Sequence, residues 1–399
     1  MNPRLDSLQP YPFERLNALK AGVTPQTNLA HVALSIGEPK HLPPDFVLQR
    51  LAAVDLLRRD LSTYPATRGS LDLRVAIADW IKRRFQASVN PEAEVLPVAG
   101  TREALFSFGL AVLSGTPGSI AILPNPFYQI YEGAILLGGA QPYFLPATVE
   151  RNYLPDFRAI PEAVWKATEL IFVCSPANPN GTVLPEAELR WLIEQAHRYD
   201  FVIAADECYS EIYLNEAAPP TGLLEASARM GNEGHRHCVV FHSLSKRSNL
   251  PGLRSGFVAG DANILEHYFL YRTYEGCALP AHVQAASELA WRDEAHVIAN
   301  RIAYRQKFAA VRDIAPDVAP SFEPEGGFYW WVKTPISDTT FARQLFEQEN
   351  VTVLPGSYLG RKGRDGTNPG DNHVRIAWVA ELNECRGAAE RLQRFMTSL

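Results

Sequence analysis

Few of the features that mark several large protein classes occur in this 399-residue chain. Its five cysteines, Cys174, Cys208, Cys238, Cys277 and Cys385, are odd in number and widely spread, and none stands in a C-x-x-C pair. That excludes a zinc ribbon and a disulfide framework. It points instead to a reducing compartment, the cytoplasm, where a free cysteine packs as a small hydrophobe. No charge of one sign dominates. There are 38 Lys and Arg against 44 Asp and Glu, a net charge of −6, with no basic footprint for nucleic acid and no acidic tail. Long hydrophobic runs are missing: Leu105–Leu113, interrupted by Ser107 and Gly109, is far too short to cross a bilayer. Met1–Phe13 mixes charges with three prolines where a secretory leader needs an apolar centre. No G-x-G-x-x-G follows a strand-like run and there is no G-K-[ST] loop, so nucleotide binding has no support. His242, His282 and His296 have neither metal spacing nor triad partners, so no metal is expected. Repeats and low-complexity tracts are absent too.

What is present is an apolar fraction of 46% on a chain long enough for a large core and two domains. Leu73, Ile77, Trp80, Ile81 and Phe85 recur at helical steps over 71–85, and a second helix is expected after Gly100 with Thr101 as its N-cap. The middle of the chain alternates strand-like runs (Ile120–Leu123, Pro142–Leu145, Leu170–Cys174, Phe201–Ala205, Cys238–His242, Gly256–Ala259) with helical ones such as Gln129–Leu137 and Glu186–Tyr199. That alternation predicts an α/β fold with a mostly parallel sheet covered on both faces. Beyond residue 285 the texture changes. One long helix over Val283–Arg312 leads to the aromatic run Gly326–Val332, a helix near Thr340–Glu349, strands at Val351–Leu354 and Val374–Val379, and a C-terminal helix. The loop Gly360–Asn372, with its four glycines, is expected to be mobile. We therefore expect a large domain over 46–285 and a smaller α+β domain from 1–45 and 286–399.

Three successive predicted strands end in polar residues: Leu170–Cys174 in Ser175-Pro176-Ala177-Asn178, Phe201–Ala205 in Asp206-Glu207, and Cys238–His242 in Ser243-Leu244-Ser245-Lys246. Parallel strands put these ends on one edge, where open α/β sheets bind ligands. Taken singly, Asp206 could cap a helix and Lys246 could be a solvated loop residue; together they suggest a site. A lysine in an apolar, hydroxyl-lined pocket forms Schiff bases with carbonyls. Pyridoxal phosphate needs such a lysine, an acid for its ring nitrogen, and donors for its phosphate. Gly100-Thr101-Arg102 at a helix start, with Ser243, Ser245 and Arg254, offers those donors. Tyr128, in Asn125-Pro126-Phe127-Tyr128, offers an aromatic face.

These residues carry a resemblance. Ser243-Leu244-Ser245-Lys246 with Arg254 eight residues on, Asn178-Pro179-Asn180-Gly181, Asp206-Glu207-Cys208-Tyr209 and Gly37-Glu38-Pro39 stand in the order of the class I/II aminotransferases of the fold-type I pyridoxal phosphate superfamily. Nearly the whole chain is covered. The one departure is Asn180, where that family usually has Thr. The resemblance implies that Lys246 holds the cofactor as a Schiff base and moves the substrate proton, and that Asp206 pairs with the ring nitrogen. It also implies that Asn178 and Tyr209 bond the ring's phenolic oxygen, that Tyr128 stacks on the ring, and that Thr101, Arg102, Ser243, Ser245 and Arg254 hold the phosphate. Arg375, with Gly37 near it, would grip the substrate α-carboxylate. Tyr64, in Tyr64-Pro65-Ala66-Thr67-Arg68-Gly69, would reach the neighbouring active site of a homodimer. Without the resemblance, Tyr64 and Tyr128 would read as packing aromatics, Arg375 as a surface ion pair, and Gly326–Trp331 as a bulged core strand.

Four segments, Leu34–His41, Pro126–Gly133, Leu244–Asn249 and Leu354–Leu359, are similar to bacterial succinyldiaminopimelate transaminases. That implies amino transfer between N-succinyl-LL-2,6-diaminopimelate and 2-oxoglutarate in lysine biosynthesis. Lys40, Arg272 and Arg361 are candidate cations for the distal succinyl carboxylate. Alternatives are an aspartate- or alanine-type aminotransferase of broader specificity and a C–S β-lyase, which shares cofactor and lysine but releases pyruvate from cystathionine. A regulator with an aminotransferase-like sensor domain would carry a basic helix-turn-helix, and none precedes the sheet.

Overall fold

The computed structural model describes residues 1–363 and 365–399. A seven-stranded sheet runs in the order Val95–Val98, Gly256–Gly260, Cys238–Ser243, Val202–Asp206, Thr168–Cys174, Ile120–Asn125, Gln141–Pro146. Only Gly256–Gly260 is antiparallel to its neighbours; the other pairings are parallel. The expected α/β class, with a mostly parallel sheet under helices, is what the chain forms. Residues alternate between the faces at the strand period of two. Ile171, Val173, Ile203, Ala205 and Val240 face a core containing Trp80 and Trp291. Phe172, Ala204, Val239 and Phe241 face a second core with Leu105, Phe108, Tyr131 and Tyr268. Burial of each valine, isoleucine or phenylalanine among them contributes about 1.5–3 kcal/mol, so the central strands are anchored in both cores.

A three-stranded antiparallel sheet (Leu354–Pro355, His373–Ala377, Tyr329–Lys333) and a parallel pair (Val32–Ala33 with Val351–Thr352) share a further core with helices Ala295–Ile314, Asp338–Glu349 and Leu382–Ser398. The N-terminal segment thus packs with the C-terminal third, Val32 pairing with Val351.

Several expectations need correction. The helix expected over 283–312 is two, Ala281–Arg292 and Ala295–Ile314; the carboxylate of Asp293 takes the backbone N–H of His296 at 3.0 Å and turns the chain. Apolar periodicity continues across that break, so nothing in the pattern marks it. Thr101 is not the N-cap: Gly100 is, at φ +89°, and Thr101 opens the helix Thr101–Val112. An edge strand, Val95–Val98, went unpredicted because Pro97 interrupts it, and edges are where strand prolines are tolerated. Two residues of the loop expected to be mobile bond to the body: Arg361 N–H donates to Asn125 Oδ1 at 3.0 Å and Asn368 Nδ2 to the Ser357 carbonyl at 3.1 Å. Arg364 within it lies outside the described residues.

Candidate active site

The strand register decides the site. Asp206 shares the face of Ala204, pairs with Cys174 on one side and Phe241 on the other, and thus enters the mouth of a cavity beyond the strand ends. A one-residue slip would turn its carboxylate to the opposite face. The next strand, Cys238–Ser243, runs into a single helical turn, Leu244–Arg247, capped by Ser243 Oγ on Ser245 N–H at 3.0 Å. That turn carries Lys246 into the same cavity, about 400 Å³ in volume.

Gly37, Thr101, Arg102, Tyr128, Asn178, Asp206, Tyr209, Ser243, Ser245, Lys246, Arg254 and Arg375 all line this space. Tyr64 does not; its side chain is fully exposed and absent from the lining of this chain's own cavity. The three cations proposed for a distal carboxylate are absent from the lining as well. Arg272 is buried in a bidentate pair with Glu103 (3.0 and 3.1 Å), Arg361 in one with Glu132 (2.8 and 2.6 Å), and Lys40 pairs with Glu38 at 2.7 Å. Charge alone nominated them, and sequence does not show which carboxylates they meet.

Lys246 Nζ donates to the Gly37 carbonyl and lies 5.4 and 6.0 Å from the ring centres of Phe328 and Tyr209. Burial among these groups pulls its pKa from 10.5 down to about 8, with Arg375 adding to the fall and Cys208 opposing it. Asp206, 5% exposed, accepts Tyr131 O–H at 2.6 Å on one oxygen and Cys208 N–H at 3.2 Å on the other. Burial pushes its carboxyl up and those two donors counter it. Arg375, 4% exposed, donates to Asn178 Oδ1 and to the Ser35 carbonyl, each at 2.8 Å, and lies 4.4 Å from the Tyr329 ring centre. Its Nε is buried with no partner among the described residues.

The phosphate end is shaped by backbone. The first turn of a helix leaves N–H groups without intrahelical acceptors, and Thr101–Val112 opens at the cavity wall. A Cβ on Gly100 would lie 2.3 Å from Arg254 Nη2, so only glycine lets that guanidinium close over the helix start. Arg254 itself holds a left-handed backbone (φ +53°), a sparsely populated state that persists where surroundings enforce it. Ser243, Ser245 and Thr101 add hydroxyls, Thr101 Oγ1 lying 3.1 Å from Cys208 Sγ. An anion cradle, a buried lysine of lowered pKa, an aromatic wall at Tyr128 and a buried carboxylate fit pyridoxal phosphate.

Sequence reasoning missed four residues here. Tyr329, read as core strand, turns its hydroxyl to that of Tyr209 at 2.9 Å, and it leaves no room for a side chain at Gly37, whose Cβ would fall 1.8 Å from the Tyr329 hydroxyl. Alternation along Tyr329–Lys333 could have found it, since Trp330 must face the core. Tyr131 was seen only as part of a motif. Tyr11 and Phe13 arrive from the N-terminal segment, which only the tertiary fold brings here.

Fold and site together define a class: residues 31–392 match the aminotransferase class I and II family, and the chain belongs to it. It is an aminotransferase with pyridoxal 5'-phosphate as cofactor. Among its relatives is an LL-diaminopimelate aminotransferase of Syntrophobacter fumaroxidans, 30% identical over 403 residues that span 98% of this chain and 97% of that protein. An aminotransferase from Neisseria meningitidis Z2491 superposes with a TM-score of 0.93 at 46% identity, covering 99% of this chain and all of that one. Aminotransferase AspB from Helicobacter pylori 26695 does so at 0.89 and 36% identity, covering 98% and 100%.

Proposed function

We propose that this aminotransferase moves an amino group from N-succinyl-LL-2,6-diaminopimelate to 2-oxoglutarate, in the diaminopimelate branch of lysine biosynthesis. The observation that carries the acylated form is the cavity's charge: Asp206 is the one acidic side chain in its lining among the described residues. Free diaminopimelate would bring a second ammonium, and enclosing it with no carboxylate to meet it is costly. Acylation removes that charge and adds a carboxylate. Arg102 suits that carboxylate: its guanidinium sits 5.1 Å from the Tyr11 ring centre and has no ion-pair partner among the described residues. Its backbone N–H, at the helix start, is left for the phosphate.

In this reading Lys246 would hold the cofactor, and its amine, once free, would take and return the Cα proton of the donor. When bound, the cofactor would supply an electron sink. Asp206 would pair with the ring nitrogen, Asn178 and Tyr209 would bond the phenolic oxygen, and Tyr128 would stack on the ring. Thr101, Ser243, Ser245 and Arg254 hold the phosphate. Arg375, which lines the cavity, would grip the α-carboxylate, with Gly37 leaving room. Two half-reactions through one site give ping-pong kinetics. A homodimer belongs to this proposal, with Tyr64 completing the neighbouring site. The exposed Leu48, Val54, Leu56, Leu61 and Tyr64 on one stretch support it, and a fully active monomer in sedimentation would remove Tyr64 from the site. Cytoplasmic location is proposed on the five unpaired cysteines.

The test is glutamate formation with the succinylated donor, free LL-diaminopimelate and aspartate. We expect kcat/KM for the succinylated donor to lead by about 10²-fold, the cost of a buried unpaired group, and Arg102→Gln to erase that lead. The relatives named for LL-diaminopimelate itself favour a second reading, and a lead for the free diamine would establish it in place of ours.

A further inference from the structure

We infer that Tyr131 is a positioning residue of the reaction, its hydroxyl fixing the orientation and the charged form of the carboxylate that meets the cofactor's ring nitrogen. This rests on the reading that Asp206 makes that contact. The bond is 2.6 Å long, within the range of hydroxyl-to-carboxylate bonds that are charge-assisted. While Asp206 is charged Tyr131 is the donor, because an ionised carboxylate only accepts.

The hydroxyl is also aimed. Tyr131 is fully buried, its ring stacked on Phe172 at 4.9 Å and 10° and edge-on to Tyr128 at 5.8 Å and 87°. Neither neighbour allows the ring to swing. The residue sits one step into the helix Ile130–Gly138, three residues after Tyr128, so a single turn fixes the aromatic wall and the donor together.

The charge on Asp206 needs that donor. The titratable groups facing Asp206 are Tyr131 and Tyr128 from the helix and its leading turn, Cys174 from the neighbouring strand, Cys208 from its own loop, and His242 from the strand on the other side. No lysine or arginine pairs with it among the described residues. Burial drives the carboxyl towards its neutral form, and the Tyr131 hydrogen bond is the strongest opposing influence. Burial and the adjacent carboxylate in turn push the Tyr131 phenol well above its ordinary value, so it stays a donor throughout the working range. A neutral Asp206 would offer no countercharge to a protonated ring nitrogen.

The experiment titrates cofactor-free protein with pyridoxal phosphate from pH 5 to 9, following the visible band, for the parent, Tyr131→Phe, Asp206→Asn and the double variant. Tyr131→Phe should weaken affinity about tenfold at neutral pH, the worth of one hydrogen bond to a charged group. It should also move the acid limb of the affinity profile upward by about one pH unit, because a carboxylate short of a donor protonates sooner. In the Asp206→Asn background the same substitution should change nothing further. An unmoved acid limb, or an equal loss in both backgrounds, overturns the inference. If Asp206→Asn alone leaves affinity and profile intact, the reading of Asp206 fails and this one with it. Tyr131→Met, which also lacks a donor, guards against a folding artefact. It must show the same acid-limb shift, and a shift that follows thermal stability instead of the missing hydroxyl counts against us.

Discussion

Raising the pH of the cofactor-free protein titrates Lys246, and the structure says where. Its amine is enclosed by Tyr209, Phe328 and the Gly37 carbonyl, and burial lowers its pKa from 10.5 to about 8. At pH 7 about one Lys246 in ten is then a free amine, against about one in three thousand for an ordinary lysine. Only the free amine attacks a carbonyl. Stopped-flow mixing of cofactor-free protein with pyridoxal phosphate should therefore show attachment that accelerates nearly tenfold per pH unit below 7.5 and levels off above about 8. Arg375→Met removes a cation that helps depress the amine, so its inflection should lie higher. An inflection near 10.5 in the parent would mean that Lys246 is solvated and that the enclosure does not govern its reactivity. A Lys246→Ala protein should show no covalent attachment; retained turnover in that variant would contradict the assigned role outright.

Two further substitutions separate shape from charge. Gly37→Ala would drive a methyl into the Tyr329 hydroxyl and should lower kcat/KM at least about 10²-fold, since a displacement near 1 Å suffices for that; Tyr329→Phe in the same chain should restore part of it, and no loss would refute the contact. Arg361→Ala leaves Glu132 buried without its partner and should cost about 3 kcal/mol in denaturant unfolding, with KM for the succinylated donor unchanged. A raised KM without lost stability would return Arg361 to the substrate site.

Much of the architecture was legible because it is written in local periodicity. Leu71–Phe85 and Glu186–Tyr199 came out to the residue, since their apolar positions recur at helical steps. The central strands were legible because they are buried on both faces and so read as unbroken apolar runs. Strand ends carrying Asn178, Asp206 and Lys246 were visible for the same reason, and a parallel sheet forces such ends onto one edge. The sequence by itself therefore determined the kind of sheet and the residues at its carboxyl edge.

What it did not determine is which polar group meets which. Arg272, Arg361 and Lys40 looked alike as free cations, yet each has a carboxylate partner, two of them reached across more than 160 residues of chain. Tyr329 faces the cavity because its strand pairs with His373–Ala377 in one register and not the next. Tyr131 reaches Asp206 across 75 residues because the sheet face of Ala204 happens to be the one its helix covers. Such pairings follow from the packing of whole elements, and no spacing along the chain encodes them.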